Sequence, residues 1–278
     1  AQNNRLYVNA AAAGANNGSN WADAFTDLNG ALNAAQPGDS VWVAAGIYLP
    51  TADNTRDSSF RPPSGVRLYG GFAGNETTLD QRNWISFPTI LSGDIGTPGD
   101  STDNSYTIMY LDQPDSMTVV DGFVFRFGSA TVTGGEAVTS HRRSGGALYI
   151  MGADGEAYAM IRHCRFERNR ARSHGGAVYI NGLQNGSVAP QFLDCVFQDN
   201  SAGTDGGAVY RNGSSWAERT PDFGHCTFEQ NRAGRHGGGL HFQDAERTDT
   251  LHLNYCNFLN NQAENLGGGS MLFASRFV

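Results

Sequence analysis

The sequence predicts an all-β fold, a right-handed parallel β-helix (solenoid) with an N-terminal capping helix, on three observations. First, a Gly-Gly motif recurs at Gly145-Gly146, Gly175-Gly176, Gly206-Gly207, Gly237-Gly238 and Gly267-Gly268, in steps of 30, 31, 31 and 30 residues. Second, another motif keeps the same period: Cys164, Cys195, Cys226 and Cys256 are followed two residues later by Phe166, Phe197, Phe228 and Phe258, and five later by Asn169, Asn200, Asn231 and Asn261. Two landmarks sharing one period define a repeat in which each unit packs on its neighbours. Third, each copy carries short runs of two-residue alternation, such as Leu148/Ile150 and Val178/Ile180, and no apolar stripe at helical spacing.

The corners follow from parity. An apolar residue lies three before each Cys, at Ile161, Phe192, Phe223 and Leu253, and an odd offset cannot stay on one face of a strand. A corner is therefore expected between the two, so that about thirty residues close one coil. The Asn after each Phe is expected at a second corner, with a left-handed backbone and an amide that hydrogen-bonds the next coil. Cys and Phe form an inward core ladder, and the Asn residues a turn ladder.

Taken in order, Leu6–Val8 reads as a first strand, followed by a Gly/Asn-rich loop through Ser19. Asn20 is expected to cap a helix from Trp21 to about Ala35, with Trp21, Phe25, Leu28 and Leu32 on one face, placed to cover the apolar end of the solenoid. Pro37-Gly38-Asp39 turns the chain, and Val41-Trp42-Val43 with Gly46-Ile47-Tyr48 begins the first coil. Irregular coils follow, with strands at Val66–Leu68, Thr89–Leu91, Thr107–Tyr110 and Thr118–Phe125. Phe123-Val124-Phe125 aligns with Cys-x-Phe, so the ladder starts one coil early with Phe in place of Cys. Polar segments at Thr51–Ser64, Ala73–Ser86, Gly93–Ser105 and Thr131–Arg143 are expected as surface loops gathered on one side. A single domain spans 1–278, with strand and capping helix in 1–40, irregular coils in 41–143 and regular coils in 144–278.

Gly-Gly-Ala-Val/Leu-Tyr followed by Cys-x-Phe-x-x-Asn-x-Ala resembles the repeats of the polymorphic outer membrane proteins and related secreted bacterial β-helix surface proteins. The resemblance covers roughly half the chain and implies an extracellular or cell-surface protein, often adhesive. The calcium-binding β-roll is not matched, because no Asp follows Gly-Gly at its spacing.

A net charge of −8 argues against nucleic acid and anionic membrane as partners. No apolar run approaches the ~20 residues of a spanning helix. The start at Ala1-Gln2-Asn3 fits a secreted protein after signal removal.

The Cys column places successive Cα atoms ~4.8 Å apart with side chains pointing the same way. Buried free thiols are one reading and paired disulfides the other; a straight column does not converge on a tetrahedral zinc. Before each Gly-Gly stand Ser144, His174, Asp205, His236 and Leu266, and before each Cys stand His163, Asp194, His225 and Tyr255. Each column thus stacks His-Asp-His, suited either to general acid–base or metal chemistry or to a surface corner of alternating charge. Tyr149, Tyr179, Tyr210 and His241 form an outward column, a plain aromatic ladder or a platform for sugar rings. Asp94, Asp100 and Asp103, with Asp112 and Asp115, crowd one region that is either a calcium site or a solvated acidic loop. Asn17, Asn75, Asn185 and Asn212 fit the N-glycosylation pattern, and Ser101, Ser116 and Thr250 an O-glycosylation pattern.

These features build a solenoid and none demands chemistry, which makes the expected function a non-catalytic extracellular scaffold, a surface adhesin or a filament subunit that binds cell-surface glycans or itself, with no cofactor other than possible calcium. The alternative is a polysaccharide lyase or glycoside hydrolase on the same fold, with His174, Asp205 and His236 as its catalytic candidates. The lyases it resembles commonly use a Lys or Arg base, and all 19 basic residues here are Arg. The fifth coil, begun at Gly267 and left open with Leu272, Phe273 and Phe277, leads to an expectation either of head-to-tail contact or of a further C-terminal segment that caps it.

Overall fold

A computed structural model describes residues 4–153, 155–183, 186–213, 220–243, 250–273 and 276–277, with backbone alone at 250 and from 271 onward. Among these residues the chain is a parallel β-solenoid. Its strands form four long parallel sheets of nine, seven, six and five strands, plus a two-stranded ladder. Consecutive coils pair in strict register: Tyr149 with Tyr179, Tyr179 with Tyr210, Phe166 with Phe197, and Ala171 with Ala202. One regular coil runs through Leu148–Met151 in the six-stranded sheet, Met160–Arg162 in the nine-stranded sheet, Arg165–Glu167 in the seven-stranded sheet and Arg170–Ala171 in the five-stranded sheet.

The corner between Ile161 and Cys164 is where parity requires it. His163, Asp194, His225 and Tyr255 have φ of 50°, 53°, 53° and 54°, a left-handed turn that passes the chain from one sheet to the next. Gly122 (φ 82°) does the same one coil earlier, splitting the expected strand Thr118–Phe125 into Val119–Asp121 and Phe123–Arg126.

The second corner corrects the expectation for the Asn ladder. The left-handed residue is the one before each Asn, namely Arg168, Asp199, Gln230 and Asn260, with φ of 54° to 55°. The Asn side chains instead fold inward and tie coil to coil. The Asn200 Oδ1 accepts from the backbone N and the Nδ2 of Asn169, both at 3.0 Å, while Asn200 Nδ2 donates to Phe166 O at 2.9 Å. Asn231 repeats the pattern one coil on. Buried amides with each hydrogen-bonding group satisfied stabilise the corner instead of penalising it.

The Gly-Gly pair has two physical causes. The first glycine is left-handed, as at Gly175 (φ 59°). A Cβ on the second would collide with the neighbouring coil, 2.2 Å from Gly207 O at Gly176.

The core is one main cluster running through the coils, with two smaller clusters beside it, Trp42/Tyr69/Phe72 and Tyr149/Tyr179/Tyr210. Phe166, Phe197, Phe228 and Phe258 stack at ring separations of 4.9, 4.7 and 4.6 Å, and Phe125 precedes them at 5.0 Å, as its alignment with the Phe of the repeat predicts. Cys164, Cys195 and Cys226 are buried free thiols and Cys256 is a half-buried one. Cys195 Sγ lies 3.4 Å from Leu193 O and 3.6 Å from Ile161 O, with the Cys226 thiol beside it. Arg211 also lies fully buried, in the register position held by Ile180 and Phe242 in adjacent coils, its guanidinium 4.6 Å from the Phe242 ring.

Three N-terminal expectations change. The helix is short, Leu28–Ala34, and capped by Asp27, whose Oδ1 accepts from Gly30 N at 2.7 Å. Asn20 caps only a local turn through Ala22 N and Asp23 N, because Phe25 is drawn into a bridge with Val8 and the chain cannot be helical there. Leu28, Ala31 and Leu32 join the core, with the helix against the first two strands. The first coil begins not at Val41 but at Arg5–Val8, which pairs in parallel with Ser40–Ala44. Finally, segment 51–64 is not wholly a surface loop: Phe60 is fully buried and bridges Met109. Segments 51–64, 93–105 and 131–143 do gather together, through Arg56 Nε to Asn104 O (2.7 Å) and Asp57 to both His141 and Arg142. The segment 73–86 lies elsewhere, with Trp84 against His163.

Candidate functional site

Both His-Asp-His columns exist, and they are unlike. In the column before the Cys residues, His163 Nε2 is 3.8 Å and His225 Nδ1 3.7 Å from the Asp194 carboxylate, and Asp194 and His225 are more than half exposed. His163 is held from behind: its Nδ1 lies 2.9 Å from Asp121 Oδ1, and its ring stacks on Trp84 at 4.2 Å. Asp121 is fully buried and also takes Arg82 at 2.5 Å and Arg162 at 2.6 Å. Burial pushes its carboxyl upward, but the hydrogen bond and charge of Arg82, with His163 and Arg162, outweigh that and leave it below the usual range.

The column before the Gly-Gly pairs is not an exposed corner of alternating charge. Asp205 is fully buried, with the Arg235 guanidinium bidentate on its carboxylate and His174 Nδ1 3.5 Å away. Of the three catalytic candidates, His174 and Asp205 meet through their side chains, whereas His236 is tied to Asp205 only by a backbone bridge between adjacent coils. His174 stacks on Tyr210 at 4.3 Å, its Nδ1 2.9 Å from Thr204 Oγ1. Burial drives His174 down to about 4, against the opposing pull of Asp205, and His241 likewise to about 4. At neutral pH these imidazoles are uncharged and packed beside an ion pair whose carboxylate is buried and whose guanidinium is half exposed, an arrangement that braces a corner.

The aromatic column points away from the core, as expected, but is covered. Tyr149, Tyr179, Tyr210 and His241 are all buried, stacked at 5.2, 5.5 and 5.0 Å. Tyr149 donates to Thr139 O at 2.5 Å, beneath the segment 131–143, and its hydroxyl accepts from Asn181 Nδ2 at 3.0 Å. A sugar platform needs an open ring face, and this column has none.

The acidic region does not converge. Asp94 accepts from Gly99 N, Asp100 from Thr102 N and Oγ1, and Asp103 from Thr97 N, each closing its own turn. Among the described residues no group of three or more His, Cys, Asp or Glu is placed to hold a metal. Of the modification candidates, Asn17, Asn75 and Ser116 are exposed and Ser101 is half-buried. Asn212 is half-buried with its amide donating to Tyr179 Oη at 3.0 Å. Asn185 and the Thr250 side chain lie outside the described residues, as do the side chains of Leu272, Phe273 and Phe277.

One feature was not singled out in the sequence: a groove of about 750 Å³ above the five-stranded sheet, lined by Arg143, Arg170, Arg172, Ser201, Thr204 and Arg232. The signal was available, since Arg170 and Arg232 each directly follow a ladder Asn, but arginines in a repeat read as solvated surface until the coils are stacked.

No curated protein and no solved structure matches the chain. The repeat of the Chlamydia polymorphic membrane proteins matches residues 194–210, the stretch from the left-handed Asp194 through Cys195, Asn200 and Gly206-Gly207 to Tyr210, which is part of one coil.

Proposed function

We propose that this chain is a non-catalytic cell-surface β-helix scaffold of adhesive type. The observation that carries the reading is the repeat match at residues 194–210, to a family of surface-associated membrane proteins in Chlamydia. The physical arrangement supports it. Titratable residues that could have served catalysis are engaged in bracing corners, while the rigid stack of coils presents long lateral faces. Among the described residues no helix is long and apolar enough to cross a membrane. Modification at exposed Asn75 and Ser116, and end-to-end self-association into filaments, belong to the same reading and are read out by mass spectrometry of native material and by sedimentation of the purified chain.

The deciding experiment coats beads with the purified chain and measures adhesion to cell monolayers, alongside a screen for reducing ends and unsaturated products on acidic and neutral polysaccharides. Adhesion without turnover is the expected result. Turnover that vanishes in His174→Ala or Asp205→Ala would replace the scaffold by an enzyme.

A further inference from the structure

We propose that the groove above the five-stranded sheet binds a linear polysaccharide bearing one carboxylate per disaccharide, laid along the solenoid axis. This names a partner for the scaffold and rests on that reading only for where the polymer would be met.

The groove is built by the two-residue strands of one sheet. In each, the second residue is a buried alanine (Ala171, Ala202, Ala233) and the first is the more exposed, so stacked coils present the column Arg170, Ser201, Arg232 and Gln262, with Ala171 and Ala202 also lining the groove. The residue after each alanine forms the next column: Arg172, Gly203, Gly234 and Glu264. Its two glycines make the floor. A Cβ on Gly203 would lie 2.3 Å from Arg172 O, and one on Gly234 2.2 Å from Gly203 O, so the close stacking of coils excludes side chains there and leaves a trench. Thr204 and Arg143 stand on its other side. The trench continues past Arg170 into a second cleft of about 380 Å³ lined by Arg56, Ser101, Thr102 and Thr131.

The charge of this surface runs against that of the molecule. The chain carries a net −8, yet Arg170, Arg172 and Arg232 are exposed together here, facing a single carboxylate, Glu264, which pairs with Arg232 at 3.3 Å. Among the described residues neither Arg170 nor Arg172 forms an ion pair, and Arg170 reaches only Ser101 Oγ at 3.4 Å. A concave surface lined by one sign of charge concentrates the opposite ion, and the planar guanidinium fork matches a carboxylate bidentately.

Spacing selects the polymer. Arg170 and Arg232 lie two coils apart, roughly 9.6 Å at ~4.8 Å per coil, close to the length of an extended disaccharide, with the Ser201 hydroxyl between them for a neutral sugar. A densely sulfated chain or a nucleic acid would leave most of its charges unmatched. Base stacking has no platform either, because Tyr106 is half-buried under Arg56 at 4.2 Å.

The test titrates the full chain with hyaluronan oligosaccharides, an alternating uronate polymer, by calorimetry at physiological and raised salt. Heparin, a single-stranded oligonucleotide and dextran are run in parallel. The double variant Arg170→Ala/Arg232→Ala should bind hyaluronan about tenfold more weakly or worse, with an unchanged melting temperature because both side chains are exposed. Arg165→Ala, which removes an exposed arginine paired with Glu167 on the adjacent sheet, should bind as the parent does. Raised salt should weaken the parent. Absence of hyaluronan binding, equal affinity in the double variant, or tighter binding of heparin or the oligonucleotide would overturn the assignment. Bead adhesion that persists while hyaluronan binding is absent would remove the groove and leave the scaffold standing.

Discussion

At the scale of single residues, the molecule is acid-sensitive by construction. His174 and His241 sit near 4 in the folded state because burial disfavours their charged forms, against an ordinary value of ~6.5 unfolded. A base whose folded value is depressed takes up protons on unfolding. Its contribution is therefore whole above ~6.5 and is lost as pH falls toward 4. Asp205 extends the loss to lower pH: Arg235 and the nearby imidazoles outweigh its burial and hold its carboxyl below the ordinary range, so its contribution is whole above ~3.9 and is lost only as pH falls below that. Thermal melts from pH 7 to 4 should show the melting temperature falling most steeply below pH 6.5. In His174→Gln the fall should be shallower. A flat profile would mean that these imidazoles are hydrated in solution. Asp205→Asn should cost about 1–3 kcal/mol at pH 7, because Arg235 loses its carboxylate while keeping its own access to water.

At the scale of the coil, two ladders do different work at one corner. Asn200 is a buried hub bonded to the coil on either side, and Asn200→Leu should cost about 2–4 kcal/mol, since it strands the donors of Asn169 and the Phe166 carbonyl. Asp199 just before it holds a left-handed backbone (φ 55°) with an exposed side chain. Asp199→Gly should therefore stabilise by up to about 1 kcal/mol, and Asp199→Val, with a branched Cβ, should destabilise. Chemical denaturation of the three variants checks the contrast; equal effects of Gly and Val would show that the backbone there is not left-handed.

At the scale of the whole molecule, a solenoid lacks a centre and is as stable as its run of neighbouring coils. The thiol column reports that run. Burial pushes Cys164 up to about 12 and raises Cys195, so both are neutral and inaccessible in the folded chain. Thiol reagent should label Cys256 first, as the half-buried member, with Cys164, Cys195 and Cys226 protected until unfolding. All four should label in denaturant without reductant. Fewer than four would establish a disulfide, and simultaneous labelling of all four under native conditions would show that the coils open together.

Much of this architecture was legible before any coordinate, for a plain reason. In a solenoid each residue's main neighbours are the same position one period earlier and later, so periodicity in one dimension is already a contact map: the Cys, Phe, Asn and Tyr columns and the corner at His163 follow from counting. Parity also placed the core face, because an odd offset must turn the chain. What counting could not supply is whatever depends on neighbours off the period. Phe25 carries a helical pattern yet bridges Val8, and that long-range pairing delays the start of the helix to Leu28. The aromatic column is outward by alternation, but Tyr149 is closed by Thr139 and its segment, which belong to no repeat, and Tyr210 by the ring of His174. Asp205 stands in a corner column that reads as surface, yet its carboxylate is buried beneath the half-exposed Arg235, one coil on. The arginine groove appears only when coils stack, because its floor is the absence of side chains at Gly203 and Gly234 and its walls come from different coils. Local repetition dictates the rungs; coverage, burial and concavity are collective properties of the stack and its insertions, and only the tertiary structure decides them.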